Sequence, residues 1–213
     1  MATTLSDYIT DTRRLLHDAT GVFYSDQQLI DYINDGREHV VRDTGCLRKY
    51  QTTTANLNQE VYTYDADLPI GDRTLDIVNI NLIWGNTRIP MRQMSFTQLN
   101  AELRFWQNYI GRPIAFAPYS QKSFYIAPVP DQEYAMEIDT IVMPIPMVNL
   151  DDVDEIAQPY NNPVPYYAAY KAKYYEQSYG EAEIFKQLYV KEAQAVLTSV
   201  FTRRMPNPYS APY

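Results

Sequence analysis

Apolar residues recur at helical spacing near both ends of the chain and at strand spacing between them. Leu5, Tyr8, Ile9, Thr12, Leu15 and Leu16 fall on one side of a predicted first helix, about Leu5 to His17. Thr4 or Ser6 can cap it, and Asp18-Ala-Thr-Gly21 closes it. Ser25-Asp-Gln-Gln28 has the form of a capping box, flanked at the staple positions by Tyr24 and Leu29. It starts a second helix, about Asp26 to Arg42, which buries Leu29, Ile30, Ile33, Gly36, Val40 and Val41 and ends before Gly45. Two helices cannot close a core alone, so this hairpin needs partners from elsewhere in the chain.

Residues 49–148 change to short runs rich in β-branched and alternating residues. Arg48 to Ala55 and Glu60 to Tyr64 read as a first strand pair. Asp76 to Trp84 is the strongest strand, with Val78, Ile80, Leu82 and Trp84 on one face, and Gly85-Asn86 turns tightly into Thr87 to Met91. A second capping box, Ser95-Phe-Thr-Gln98, opens a short helix to about Leu103. Three further strands follow at Pro113 to Ala117, Ser123 to Ala127 and Glu133 to Met143. The last places Tyr134, Met136, Ile138, Thr140 and Val142 on one side, and Pro144 to Pro159 links back to helical sequence.

A helix opened by prolines runs from about Pro163 to Ser178, and Gly180 is read as its C-cap stop. Tyr166, Tyr167, Tyr170 and Tyr174 form one stripe, while Ala168, Ala172, Tyr175 and Tyr179 lie opposite. A helix apolar on two sides is buried between two things. One is its own bundle; the other is a neighbouring chain, which makes the six tyrosines candidate subunit-interface residues. The last helix, about Glu181 to Arg203, begins acidic and ends basic, as the helix dipole favours. Its stripe is read as Ile184, Phe185, Leu188, Tyr189, Ala195, Val196 and Val200. After it, Met205, Pro206, Pro208, Tyr209, Pro212 and Tyr213 form a proline-rich arm with two aromatic anchors, suited to docking on another protein. The expected fold is α+β: an antiparallel helical bundle from 1–48 and 149–204, a β-rich insertion at 49–148, and an extended arm at 205–213.

Composition narrows the function classes. The chain has 213 residues, 46% hydrophobic and 21% charged, as in an ordinary globular protein. It has no apolar run long enough for a membrane helix, and its start lacks the pattern of a signal peptide. One cysteine, Cys46, excludes an internal disulfide and suits folding in a reducing cytoplasm. A net charge of −8 argues against nucleic-acid affinity but suits a wall that DNA passes without sticking. Of 20 tyrosines, ten lie from Tyr160 onward; a ring with a polar tip suits interfaces that form after folding.

Candidate chemistry is sparse. Asp151, Asp152, Asp154 and Glu155 are the one carboxylate cluster, lack the frame of a calcium loop, and read as the start of a short helix. His17 and His39 stand on separate helices without partners for catalysis, and Cys46 has no neighbouring cysteine. The 7 glycines all read as turn or cap residues. Arg13, Arg14, Arg37, Arg42, Arg48, Lys49, Arg203 and Arg204 read as solvated helix faces or as complements to acidic neighbours in an assembly. No catalytic residue, metal or cofactor is expected.

Arg14-Leu-Leu-His-Asp18, followed by Phe23-Tyr-Ser-Asp26-x-x-Leu29-Ile30-x-x-Ile33-Asn34, resembles the opening of head-to-tail adaptor (connector) proteins of tailed double-stranded DNA bacteriophages. Asp139 to Met143, Tyr160 and Pro165-Tyr-Tyr-Ala-Ala-Tyr170 resemble their strand, linker and closing helices. The resemblance covers both helical ends; the β-rich middle matches in kind rather than by motif. It implies a structural virion protein at the neck, in a ring of twelve copies beneath the portal, lining a channel through which DNA passes without specific binding. It implies that Met205 to Tyr213 clasps the portal and that the β-rich part faces tail nozzle or fibre proteins. Two other classes stand beside it: a nozzle or receptor-binding tail module, and a small cell-wall or nucleic-acid hydrolase.

Overall fold

In the computed structural model, which describes residues 3–102 and 108–204, Thr4 caps the first helix, α1 (Leu5–Leu16). The Thr4 and Asp7 side chains satisfy each other's backbone donors, a third box of this kind besides the two expected ones. His17 ends α1 in the left-handed conformation, φ 56°, immediately before the Asp18–Gly21 stretch. Ser25 and Gln28 form the expected box at the start of α2 (Asp26–Thr44), and Gly45 closes it at φ 58°.

The chain divides into two compact units, Met1–Leu47 with Met143–Tyr213, and Arg48–Val142. In chain order the second holds β1 (Arg48–Ala55), β2 (Val61–Thr63), α3 (Tyr64–Asp67), β3 (Thr74–Trp84), β4 (Thr87–Pro90), β5 (Arg92–Gln93), α4 (Phe96–Glu102), β6 (Ala115–Ser120), β7 (Ser123–Ala127) and β8 (Tyr134–Val142). One sheet has the order β1-β8-β3-β4 and is antiparallel throughout. The other, β2-β7-β6-β5, is antiparallel except for the short β5–β6 pair. The expected pairing of β1 with β2 is therefore corrected, since the two belong to different sheets. β1 lies along β8, with Arg48 opposite Ile141 and Ala55 opposite Tyr134. Both sheets contribute to one apolar core that includes Tyr62, Ile80, Leu82, Phe116, Phe124 and Ile138.

The face expected for β3 is also corrected. Register shifts near Asp76 and Asn79 break the simple alternation, so Ile77, Ile80 and Leu82 are buried while Val78 is half-buried. Trp84 is 46% exposed and stacks on Tyr134 at 5.5 Å between centroids. The Gly85 turn and the Ser95–Gln98 box form as expected.

The first unit is completed by α5 (Val164–Tyr175) and α6 (Tyr179–Arg204). Side chains from α1, α2, α5 and α6 share one core, among them Leu5, Leu29, Ile33, Val164, Ala168 and Tyr189. Met147 joins that core, so the linker segment from Met143 onward belongs to this unit. Gly36 is no turn residue. It sits inside α2 where a Cβ would lie 3.2 Å from the Val164 carbonyl, so its missing side chain lets α2 and α5 approach closely. Gly180 does not stop α5 either. Gln177 takes the left-handed position at φ 64°, and Gly180 is the second residue of α6.

The stripe expected for α6 needs correction as well. Its buried residues are Ala182, Tyr189, Ala193, Val196 and Val200, while Ile184, Leu188 and Ala195 are exposed. Counting apolar residues on a wheel merged two faces that the structure separates. The arm residues Met205, Pro206, Pro208, Tyr209, Pro212 and Tyr213 lie outside the described residues.

Candidate functional site

α2 presents Leu29, Ile33, Gly36 and Val40 to the core, and Arg37 falls on that same buried face. Its guanidinium meets Asp154 from the linker, with Nε and Nη2 donating to Oδ1 at 3.0 and 2.7 Å. Both side chains are almost wholly buried, at 1% and 0% exposure. Its Nη1 donates to Asn34 Oδ1 at 3.1 Å and to the Ile145 carbonyl at 2.7 Å. Asp154 also accepts the Tyr8 hydroxyl and the Ile156 N–H. Burial, then the Asp154 charge, pushes the Tyr8 phenol above its ordinary value, so it stays a donor.

Asn34 holds Met147 through both its amide atoms, each at 2.9 Å. The first two backbone donors of α1, Leu5 and Ser6, bond the linker carbonyls of Asp152 and Leu150. The acidic run is thus no helix start. Asp152 caps the N–H groups of Val148 and Asn149, Asp154 is buried, and Glu155 accepts from Ile145 N–H. These contacts fasten the linker to α1 and α2; they bring together no nucleophile, base and open substrate position.

A second lock shapes the α1–α2 turn. Asp18 accepts the N–H groups of Val22, Phe23 and Tyr24 at 2.9 to 3.3 Å and pairs with Arg13 at 3.0 Å. Burial opposes the charge on Asp18, but the three backbone donors and Arg13 outweigh it and hold the carboxyl below its ordinary range. Arg13 also reaches the Tyr24 carbonyl and Asp26. Arg13 and Arg37 are therefore not solvated-face residues. His39 stacks on Tyr167 at 4.6 Å, a packing role.

The six tyrosines separate into three groups. Tyr167 is buried, edge-on to Tyr189 at 5.2 Å, and Tyr189 bonds Asp43 at 2.5 Å. Tyr166 and Tyr170 pack half-buried against the core. Tyr174, Tyr175 and Tyr179 are 51, 64 and 59% exposed. Tyr174 touches Tyr179 edge-on at 5.6 Å, and Tyr175 stacks on Tyr32 at the same distance. A polar cleft of about 390 Å³ lies beside Tyr166, lined also by Thr3, Asp11, Arg14 and Asn161. Among the described residues no group of three or more His, Cys, Asp or Glu side chains could hold a metal, and no helix is long and apolar enough to cross a membrane.

A family model described as SU10 adaptor protein matches residues 3–211, nearly the whole chain. The chain belongs to the SU10 adaptor protein family. Membership makes it a bacteriophage adaptor and points to a structural role in the virion. No curated protein matches it.

In this adaptor the residues that carried the opening motif are architectural. Asp18 shapes the turn, Ser25 caps α2, Leu29 and Ile33 fill the core, and Asn34 holds the linker. Sequence reasoning missed Arg37–Asp154 and the role of Asp18. One signal was available: Arg37 follows Ile33 by four residues, which puts a charge on the apolar stripe of its helix.

Proposed function

We propose that this adaptor joins head to tail, forming a ring of twelve copies between portal and tail around the DNA channel. The observation that carries this reading is the exposed aromatic cluster of Tyr174, Tyr175 and Tyr179 on a chain of an adaptor family. More than half of each of these residues is left exposed by its own unit, and tyrosine is enriched where folded subunits meet. The arm of Met205, Pro206, Pro208, Tyr209, Pro212 and Tyr213 reaches the portal, and tail nozzle or fibre proteins bind on the opposite side. The net charge of −8 suits DNA passing without specific binding. Light scattering of the purified chain, alone and mixed with its portal, tests the reading. A monomer alone and a ring on the portal are expected; no association with portal overturns it.

One observation favours a second reading, a receptor-binding tail module. Tyr50, Tyr109 and Tyr119 of the β unit are 72, 65 and 58% exposed, and exposed rings can stack on sugars. Binding of the chain to host-surface glycans, with none to portal, would select it.

A further inference from the structure

We propose that the α1–α2 turn is a preformed plug, whose Val22 and Phe23 side chains enter an apolar socket rimmed by lysine or arginine on a second virion protein. The plug needs the chain to be in the virion but does not depend on a ring. Val22 and Phe23 are 75 and 78% exposed, more than any other large apolar side chain among the described residues. Apolar side chains scattered singly over a surface need no explanation, but these two are adjacent and held in place. Their N–H groups donate inward to the buried Asp18 carboxylate, and the Gly21 N–H bonds the Asp18 carbonyl at 3.1 Å. On the other side Tyr24 anchors the turn in the helical core. Gly21 stands at φ 70°, where a Cβ would lie 3.0 Å from the Arg13 guanidinium, so glycine lets the clamp close. A loop held in its bound shape beforehand loses less entropy on binding, and an aromatic ring at its tip serves as the anchor.

Charge identifies the socket. Tyr32, in the second turn of α2, stacks on Tyr175 at the end of α5, so the α5–α6 turn lies at the same end of the unit as the plug. In each turn one base is shared by two acids. Arg13 pairs with Asp18 and Asp26, and Lys173 with Glu176 and Glu181. Each cluster therefore keeps one negative charge in excess, and the outer acids, Asp26 and Glu181, have side chains 65 and 59% exposed. Arg14 is an exposed base nearby, and Asp11 balances it at 2.9 Å. A basic rim complements this end, whereas the same end of a second copy repels it.

Position separates the plug from the arm. α6 starts at the plug's end, where Tyr179 meets Tyr174 at 5.6 Å between centroids. It runs to Arg204, about 38 Å away at about 1.5 Å per residue. The chain continues into the Met205–Tyr213 arm from that far end. An adaptor holds two neighbours at once, and a contact element at each end of one helical unit lets it do so. The plug therefore takes a different protein from the one the arm takes.

Photo-cross-linking in assembled particles tests the plug. The full chain, with p-benzoylphenylalanine in place of Phe23, complements a phage that lacks its own copy, and the purified particles are irradiated. The expected product is an adduct with one other virion protein. Placed at Thr20 instead, the probe should reach the rim of the same protein. Adducts with a second copy alone, or none from either position, overturn the proposal. The protein so identified is then purified as the binding probe. Phe23→Asp is expected to weaken its binding about tenfold or more, with the circular dichroism of the chain unchanged. Glu181→Gln should make that binding less sensitive to salt. Deleting Met205 to Tyr213 should leave it intact. Binding that survives Phe23→Asp, or that is lost with the arm, overturns the plug. If the chain is absent from purified particles, its virion role falls, and the plug with it.

Discussion

The two units bury their polar groups in different ways. In the helical unit charged groups make the buried locks: Arg37 and Asp154 join segments 117 residues apart, and Asp18 and Arg13 clamp a turn. In the β unit one buried carboxylate, Asp139 of β8, pairs with the partly exposed Arg48 of β1, and beside it lies a neutral hub. The Gln51 amide donates to Thr74 and Thr140 at 2.9 and 2.8 Å and accepts the Ile70 N–H at 2.8 Å. The difference follows from how each unit fixes its register. Ladder bonds and period-two side chains already determine how β1, β8 and β3 align. Helices that share a smooth apolar core can slide or rotate, so a distant linker needs a contact that tolerates one alignment only. A buried ion pair supplies it, because misalignment leaves a charge unpaired in the interior.

The largest effect expected from this contrast comes from breaking the ion pair on one side. Arg37→Met leaves Asp154 buried and short of donors, which costs about 3–5 kcal/mol. Urea unfolding of the full chain measures it. Replacing both partners, Arg37→Met with Asp154→Leu, removes the desolvation penalty together with the attraction and should recover most of that loss. The double variant should, however, lose the ordering of the linker, seen as faster proteolysis between Met143 and Ile156. A double variant as unstable as the single one would show that the pair itself stabilises the unit. The β unit offers the matched experiment. Gln51→Leu removes a neutral hub and leaves Thr74, Thr140 and the Ile70 N–H without it, at a cost of about 1–3 kcal/mol. No change in sheet register is expected, and nuclear Overhauser contacts between β1 and β8 would report any shift.

This contrast also explains which features were legible in the sequence. Caps are local: Ser25–Gln28 and Ser95–Gln98 could be read from four residues each, because the atoms that bond are three residues apart. The mixed α+β composition was legible for the same reason, and so was the alternation of β8 as far as Ile138; beyond it Asp139 and Ile141, on the side expected to face out, are buried as well. Partners far apart in sequence were not. Nothing near Asp154 signals that it meets Arg37, and nothing in Glu60 to Tyr64 signals that β2 joins β7 rather than β1. Burial on α6 was misread because Ile184 and Leu188 are as apolar as true core residues; hydropathy reports what can be buried, not which surface buries it. Gly180 looked like a cap because glycine favours left-handed backbone, yet Gln177 does that work three residues earlier.

The smallest expected effect is local and separates the units by acid. Asp18 is held below its ordinary value of 3.8 by three backbone donors and Arg13. A carboxyl whose value is lowered on folding stabilises the folded state in full above the ordinary value. That contribution fades as the pH falls through the lower, folded value. Protonation weakens the acceptor for Val22, Phe23 and Tyr24, so their amides should lose hydrogen-exchange protection first in acid. Amides of β8 such as Ile138 depend on backbone carbonyls that do not titrate, and they should hold until global unfolding. Asp18→Asn keeps an acceptor oxygen but no charge, so the turn amides should exchange faster at neutral pH and respond little to acid. Unchanged protection of Val22 to Tyr24 down to the acid unfolding transition would mean that the turn is held by its apolar contacts, with the Asp18 clamp a passenger. The loop would then resemble the strands of the β unit, whose register is held by ladder bonds between backbone groups that do not titrate.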